Sequence, residues 1–279
     1  MQTASPTAWV NGKQQTQISI FDRGLMYGQS VFETITTFEQ KALLLEDHLQ
    51  RLKQGCDVLG IGVDLNRLTD EINTALEVTE QKAVLRISIT MGEGGRGYKN
   101  PDASEATRIL SLHEYPTIRK QNYTDGIQIG VAEIRLAEQA TLAGIKHSNR
   151  LEQIIARSQW QQNWQEALLL DQQGHVIEAT QSNVFIVSDI ELKTPDLTHA
   201  GVAGVMRNFV ISKAQDIGVN CQIVPLSIDD IKTSDEVFVT NSVIGLWPVQ
   251  QFQQTQYTGF DVSQKLLTVM QDYGAIPNI

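Results

Sequence analysis

Residues 166–188, read as EALLLD-QQG-HVIEAT-QS-NVFIVS, constrain the fold more than any other stretch. Three apolar, β-rich runs are separated by spacers of only three and two residues. Spacers that short can join antiparallel neighbours but not parallel ones, which need a crossover of a dozen residues or more. The segment therefore reads as a meander of three strands. A strand GIQIGVAEIRL and a helix over 149–161 precede it, and a helix VMRNFVISKAQDIG, a strand EVFVTN and a helix over 261–273 follow.

The first half is built in the same style. AWVNGK and QISIFD read as short strands, and FETITTF and ALLL as strands joined by the turn EQK. In EDHLQRLKQGCDVLGI, Leu49, Leu52, Cys56 and Leu59 form a helical stripe, with Asp47 and Gln50 at capping-box spacing, and a second helix is expected over 64–79. KAVLRISIT is a strand that runs into the glycine-rich loop GEGGRGY, and TRILSLHEYP is a strand closed by proline. Hairpins in each half with helices between them predict an α+β chain rather than a doubly wound sheet. The polar, aperiodic stretch 116–124 is the expected linker between an N-terminal α/β domain, 1–115, and a C-terminal domain, 125–279.

Charge and cysteine usage narrow the function. A net charge of −10 opposes binding to nucleic acid or to an anionic membrane, although a few arginines in a cleft can still receive a small anion. Cys56 and Cys221 lie far apart without C-x-x-C spacing, so neither a disulfide framework nor a zinc site is expected, and each should pack as a small hydrophobe. The N-terminus lacks the basic and apolar regions of a signal peptide, and no apolar run reaches membrane-spanning length. The expectation is a cytoplasmic protein with no metal, nucleic-acid or membrane partner.

Residues 142–153, LAGIKHSNRLEQ, place Lys146 between an apolar loop and an expected helix start, with Asn149 and Glu152 at capping-box spacing. A loop lysine is ordinarily a solvated charge. In apolar surroundings, or beside other cations, its pKa falls, as a Schiff-base lysine requires.

LAGIKHSNRLEQ resembles the lysine motif of aminodeoxychorismate lyases, members of the fold-type IV pyridoxal-phosphate enzymes, which also include branched-chain and D-amino acid aminotransferases. The resemblance runs through FDRGLMYGQSVFETI, the lysine motif, EATQSNVF and EVFVTNSVIGLWPV, in that order. It implies a two-domain fold-type IV enzyme, a homodimer, with pyridoxal 5'-phosphate joined covalently to Lys146.

Further roles follow from the resemblance, each beside a plainer reading. Glu178, mid-strand, would hold the pyridine nitrogen protonated, though alone it reads as an exposed strand residue. Arg51, off its helix's apolar stripe, would grip the phosphate rather than face water. The backbone of Val205 and Met206 after GVAG, and the Ser242 hydroxyl, would complete that grip, since a helix N-terminus suits an anion. Arg150 stands where related aminotransferases carry a tyrosine near the cofactor's phenolic oxygen; it could equally cap the helix or face solvent.

On the substrate side, Arg86 shares a mostly polar strand face with Val84, Ser88 and Thr90. With Arg96 and Tyr98 of the GGRGY loop it would meet the carboxylates of aminodeoxychorismate, where the plainer reading is a solvent-facing strand and loop. Thr34 occupies a position that carries a hydroxyl in these lyases and glycine in branched-chain aminotransferases. The implied reaction is elimination of pyruvate to leave 4-aminobenzoate, a step of folate biosynthesis. The alternatives are an aminotransferase of the same fold acting on a D- or branched-chain amino acid, and a catalytically silent binding protein.

Overall fold

In the computed structural model, Asn11 and Gly12 reverse the chain between β1 (Thr7–Val10) and β2 (Lys13–Gln14), both with left-handed backbones, φ 52° and 76°. Asn-Gly is the pair that such a tight hairpin favours. The structure describes residues 6–79, 81–102, 104–160 and 163–277. The chain divides into two units. The first runs to Pro116 and includes Ile145–Asn149; the second comprises Thr117–Gly144 and the residues from Arg150 onward. The outermost residues of both expected domains lie outside the described residues.

In the first unit, α1 (Arg23–Tyr27) is capped by the Asp22 side chain, and β3 (Ser30–Phe38), β4 (Lys41–Ala42), α2 (Leu45–Leu59), α3 (Leu65–Leu76), β5 (Ala83–Thr90) and β6 (Thr107–Glu114) follow. The sheet order is β2-β1-β6-β5-β3-β4. Alternation in β3 and β5 turns Val31, Ile35, Leu85, Ile87 and Ile89 toward a core that also contains Leu52 and Cys56 of α2 and Leu68 and Ile72 of α3. Cys56 is fully buried there, which pushes its thiol up to about 12.

Three expectations fail in this unit. QISIFD forms no strand: Ile18, Ile20 and Phe21 find no ladder and stay exposed. ALLL is not a strand past Ala42, because Leu44 takes a left-handed backbone (φ 51°) and Leu45 already opens α2. That helix start also removes the capping box, since Asp47 lies inside the first turn.

The second unit contains α4 (Gln121–Thr124), β7 (Ile127–Arg135), α5 (Leu151–Ser158), β8 (Glu166–Leu170), β9 (Val176–Ala179), β10 (Asn183–Ser188) and β11 (Glu191–Thr194). After these come α6 (Val205–Lys213), β12 (Cys221–Ile223), α7 (Ile228–Thr233), β13 (Glu236–Asn241), β14 (Gly245–Phe252), β15 (Thr255–Gln256) and α8 (Asp261–Asp272). The sheet order is β12-β11-β10-β13-β14-β7-β8-β9, with β15 on β14. At its centre Phe185 and Phe238 stack at 5.0 Å between β10 and β13.

The expected meander is only half realised. β8 and β9 pair antiparallel, but β10 leaves β9 to pair with β11 and β13. The corner is tied down by Glu166, wholly buried, whose carboxylate accepts from the hydroxyls of Thr180 (2.6 Å) and Ser182 (2.9 Å). The turn residues thus serve a buried acid rather than a ladder.

Candidate active site

In the first unit the lysine segment is a strand-like addition to β3. The Phe32 amide donates to the Lys146 carbonyl (2.9 Å), and the Ser148 amide to the Ser30 carbonyl (2.9 Å), with Val31 opposite His147. Lys146 is therefore directly across from Phe32, and cross-strand partners share a face. Its Nζ lies 4.5 Å from the Phe32 ring centroid.

The expected capping box next to the lysine is absent. Asn149 donates its side-chain amide to the Gly28 carbonyl, and Glu152 accepts from the Ala137 amide (2.7 Å); α5 begins at Leu151 with no side-chain cap. The lysine's backbone is positioned by β3, not by a helix terminus. Residue 161, where that helix was expected to end, lies outside the described residues.

The other face of β3 carries a network not among the expectations from sequence. Glu33 projects into the helix-facing core, where Arg51 of α2 pairs with both of its oxygens and His48 Nδ1 sits 2.7 Å away. Burial alone would raise the Glu33 pKa, but the Arg51 charge and the His48 and Arg51 hydrogen bonds outweigh it and hold the carboxyl at about 2. The carboxylate can only accept, so His48 Nδ1 carries the hydrogen. His48 Nε2 is buried with no hydrogen-bond partner among the described residues. The available signal was the His-x-x-Arg spacing of His48 and Arg51, which puts both on one side of α2.

Thr34 and Arg86 are direct cross-strand partners. They lie on the Phe32 and Lys146 face, opposite the Glu33 network. Arg86 stacks on the same ring as the lysine, its Cζ 4.2 Å from the centroid. It is half-buried, which lowers its pKa, and no carboxylate pairs with it among the described residues.

Arg96 and Tyr98 belong to a loop anchored by Arg23. This buried guanidinium donates to the carbonyls of Gly95 (3.3 Å) and Gly97 (2.9 Å), and its Nε to the Gln29 side chain (2.6 Å). Its Cδ passes so near Gly94 that a Cβ there would lie 2.7 Å away, which accounts for one glycine of GEGGRGY. Tyr98 packs edge-on against Tyr27 at 5.6 Å and is otherwise exposed.

In the second unit Glu178 lies on β9, buried, with Oε2 accepting from the Val202 amide (2.8 Å) and Oε1 within 3.4 Å of the Gln153 amide. This replaces the exposed-strand reading. Arg150 immediately precedes α5, where burial lowers its pKa while the charges of Glu178 and Glu152 oppose the shift.

The N-terminus of α6 follows GVAG. Gly204 is the N-cap, without a capping side chain, and a Cβ on it would lie 2.0 Å from Asn183 Oδ1. Asn183 holds the turn by donating to the Val202 carbonyl (2.9 Å). The Val205 and Met206 residues are buried, and their amides have no acceptor among the described residues. Ser242 follows Asn241, whose Oδ1 accepts from the Val243 and Ile244 amides and shapes that turn.

Residues 30–252 match the family described as amino-transferase class IV. The chain belongs to that family. Among class IV proteins it is 34% identical over 242 residues to an aminodeoxychorismate lyase of Vibrio harveyi, across 86% of this chain and 89% of that protein. The crystal structure of 4-amino-4-deoxychorismate lyase from Pseudomonas aeruginosa superposes with a TM-score of 0.92 at 38% identity, covering 95% of this chain and 98% of that one. A branched-chain-amino-acid aminotransferase of Escherichia coli K12 is more distant, 26% identical over 267 residues, across 89% of this chain and 85% of that protein. The class IV match spans both units, and the α+β reading holds.

Proposed function

We propose that this class IV protein is a pyridoxal 5'-phosphate-dependent lyase that converts 4-amino-4-deoxychorismate into 4-aminobenzoate and pyruvate. The observation that carries the reading is the likeness to the Pseudomonas aeruginosa lyase along nearly the whole of both chains. The intact Lys146, Glu178 and Arg51 weigh against a catalytically silent binding protein.

The residues fit the cofactor. The unclaimed amides of Val205 and Met206 at a helix N-terminus are a ready anion site in the second unit; by the resemblance, Arg51 and Ser242 would add contacts to the phosphate. Glu33 and His48 act through Arg51 by fixing its guanidinium. Glu178, held from behind by the Val202 amide, would keep the pyridine nitrogen protonated, and Arg150 would tune the phenolic oxygen. Lys146 would be the covalent attachment point. When bound, the cofactor supplies an electron sink for negative charge developing at the amine-bearing carbon.

The chain's own groups perform the remaining work. Arg86, Arg96 and Tyr98 bind and orient the substrate's two carboxylates. Lys146, released by the substrate amine, removes the proton from the amine-bearing carbon. Thr34 and Lys146 are the two candidate donors that protonate the departing enolpyruvyl group, and aromatisation of the ring supplies driving force.

A homodimer accords with apolar side chains left exposed in each unit: Phe21, Leu25 and Met26 in the first, and Leu151, Ile154 and Ile155 in the second. The cytoplasmic assignment rests on the sequence; among the described residues no helix is long and apolar enough to cross a membrane. The test is to supply 4-amino-4-deoxychorismate, and separately an amino-acid donor with a keto-acid acceptor. Release of 4-aminobenzoate with equimolar pyruvate is expected; transamination without it would favour the aminotransferase alternative.

A further inference from the structure

Arg86 has a neighbour on each side of its row in the first unit's sheet: Thr34 on β3 and Ser111 on β6. Partners in an antiparallel sheet project from the same face, so the three side chains form a line across three strands. One row further along β6, His113 projects from this face too, and its Nε2 lies 2.8 Å from the Ser111 Oγ. Lys146 joins the face from the opposite side of β3.

The chemistry of this line suits an anion. Arg86 has one face covered by the Phe32 ring, and among the described residues it makes no hydrogen bond and no ion pair. A guanidinium in that state presents its N–H fork to a planar carboxylate. Desolvation, reinforced by the Arg86 charge, lowers the His113 pKa below the usual histidine value, which favours the neutral imidazole. With hydrogen on Nε2 the imidazole donates to the Ser111 Oγ, which leaves the serine O–H free to donate elsewhere. Lys146 Nζ and Arg86 Cζ both approach the Phe32 ring, at 4.5 and 4.2 Å from its centroid, so an amine position and an anion position share this ring.

We propose that Ser111, oriented by His113, joins Arg86 to bind a carboxylate on the far side of a six-membered ring from the reacting amine, and thereby determines specificity for ring substrates carrying such a carboxylate. This rests on the lyase reading for the natural substrate, in which the ring carboxylate is the one opposite the amine. Ser111 touches the substrate, whereas His113 is a positioning residue.

The experiment compares holoenzyme affinities for 4-aminobenzoate and for its neutral isostere 4-aminobenzamide, in the wild type and in Ser111→Ala, Ser111→Thr and His113→Ala. The wild type should prefer the carboxylate. Ser111→Ala should lose about tenfold of that preference, His113→Ala part of it, and Ser111→Thr, which keeps the hydroxyl, should retain it. Ser111→Ala and His113→Ala should also raise KM for 4-amino-4-deoxychorismate, with the loss carried by KM rather than kcat, whereas Ser111→Thr should not. No preference in the wild type, or an undiminished preference in Ser111→Ala, would overturn the proposal. Loss of preference in Ser111→Ala alongside a wild type that releases no 4-aminobenzoate from 4-amino-4-deoxychorismate would leave the subsite standing and remove the lyase reading instead.

Discussion

The amide of Phe32 donates to the carbonyl of Lys146 over 2.9 Å, and the lysine's Nζ lies 4.5 Å from the centroid of the same residue's ring. One residue of β3 thus fixes both the backbone and the side chain of the lysine. The backbone bond does not need the amine. Lys146→Ala should therefore fold with near wild-type thermal stability, lose the visible absorbance of covalently held cofactor, and lose at least about 1000-fold in turnover. An unchanged absorbance spectrum would show that another amine holds the cofactor.

Glu33→Gln tests the buried network. Removing one partner of a buried ion pair costs about 3–5 kcal/mol, and Arg51 would lose its anchor, so cofactor affinity should fall with stability. The pH sign follows from a folded-state pKa of about 2, depressed from 4.5. The stabilisation is present above the unfolded value of 4.5 and is lost as pH falls toward 2. Wild-type stability should therefore decline across that window more steeply than that of Glu33→Gln; parallel acid-unfolding curves would refute the pairing.

Glu178→Gln retains an acceptor for the Val202 amide but no longer carries a charge for the pyridine nitrogen. Cofactor should still bind, with turnover reduced about 100-fold or more. Near-normal turnover would count against the electron-sink assignment.

Gly204→Ala would bring a Cβ to 2.0 Å from Asn183 Oδ1 and dislodge the bond to the Val202 carbonyl. A destabilisation of about 1–3 kcal/mol is expected, with weaker cofactor binding as the turn ahead of α6 shifts. Calorimetry and a cofactor titration would read both; an unaltered dissociation constant would detach this turn from the phosphate.

Arg23→Gln removes the donors that hold the Gly95 and Gly97 carbonyls. The loop bearing Arg96 should lose its fixed shape, and KM for 4-amino-4-deoxychorismate should rise more than kcat falls. Equal effects on both, or none, would argue that the loop does not contact substrate.

The sequence was most legible where local pattern and burial agree. Alternation in TRILSLHE and AVLRISIT survives intact because those strands have neighbours on both sides. QISIFD alternates equally well yet, beyond an isolated bridge from Asp22 to Glu93, pairs with no strand among the described residues, and Asn149 and Glu152 have cap spacing yet find other partners, at Gly28 and Ala137. Spacing records what a side chain can do locally; pairing decides whether it does. The His-x-x-Arg spacing hinted at one helix face but not at the Glu33, His48 and Arg51 network, since a glutamate on an apolar strand face acquires meaning only once a helix brings it an arginine. β10 deserted the meander because its turn residues satisfy a buried acid that lies on another strand.

Ile145–Asn149 is encoded in the midst of the second unit but folds with the first. Exchanging halves between relatives at the Pro116 junction would deliver the lysine with one parent's chain and the strand that seats it, β3, with the other's. Recombination there must match two ancestries at a ladder of two backbone bonds, between residues 30–32 and 146–148. A chain laid out this way inherits the placement of Lys146 as a joint property of its two halves.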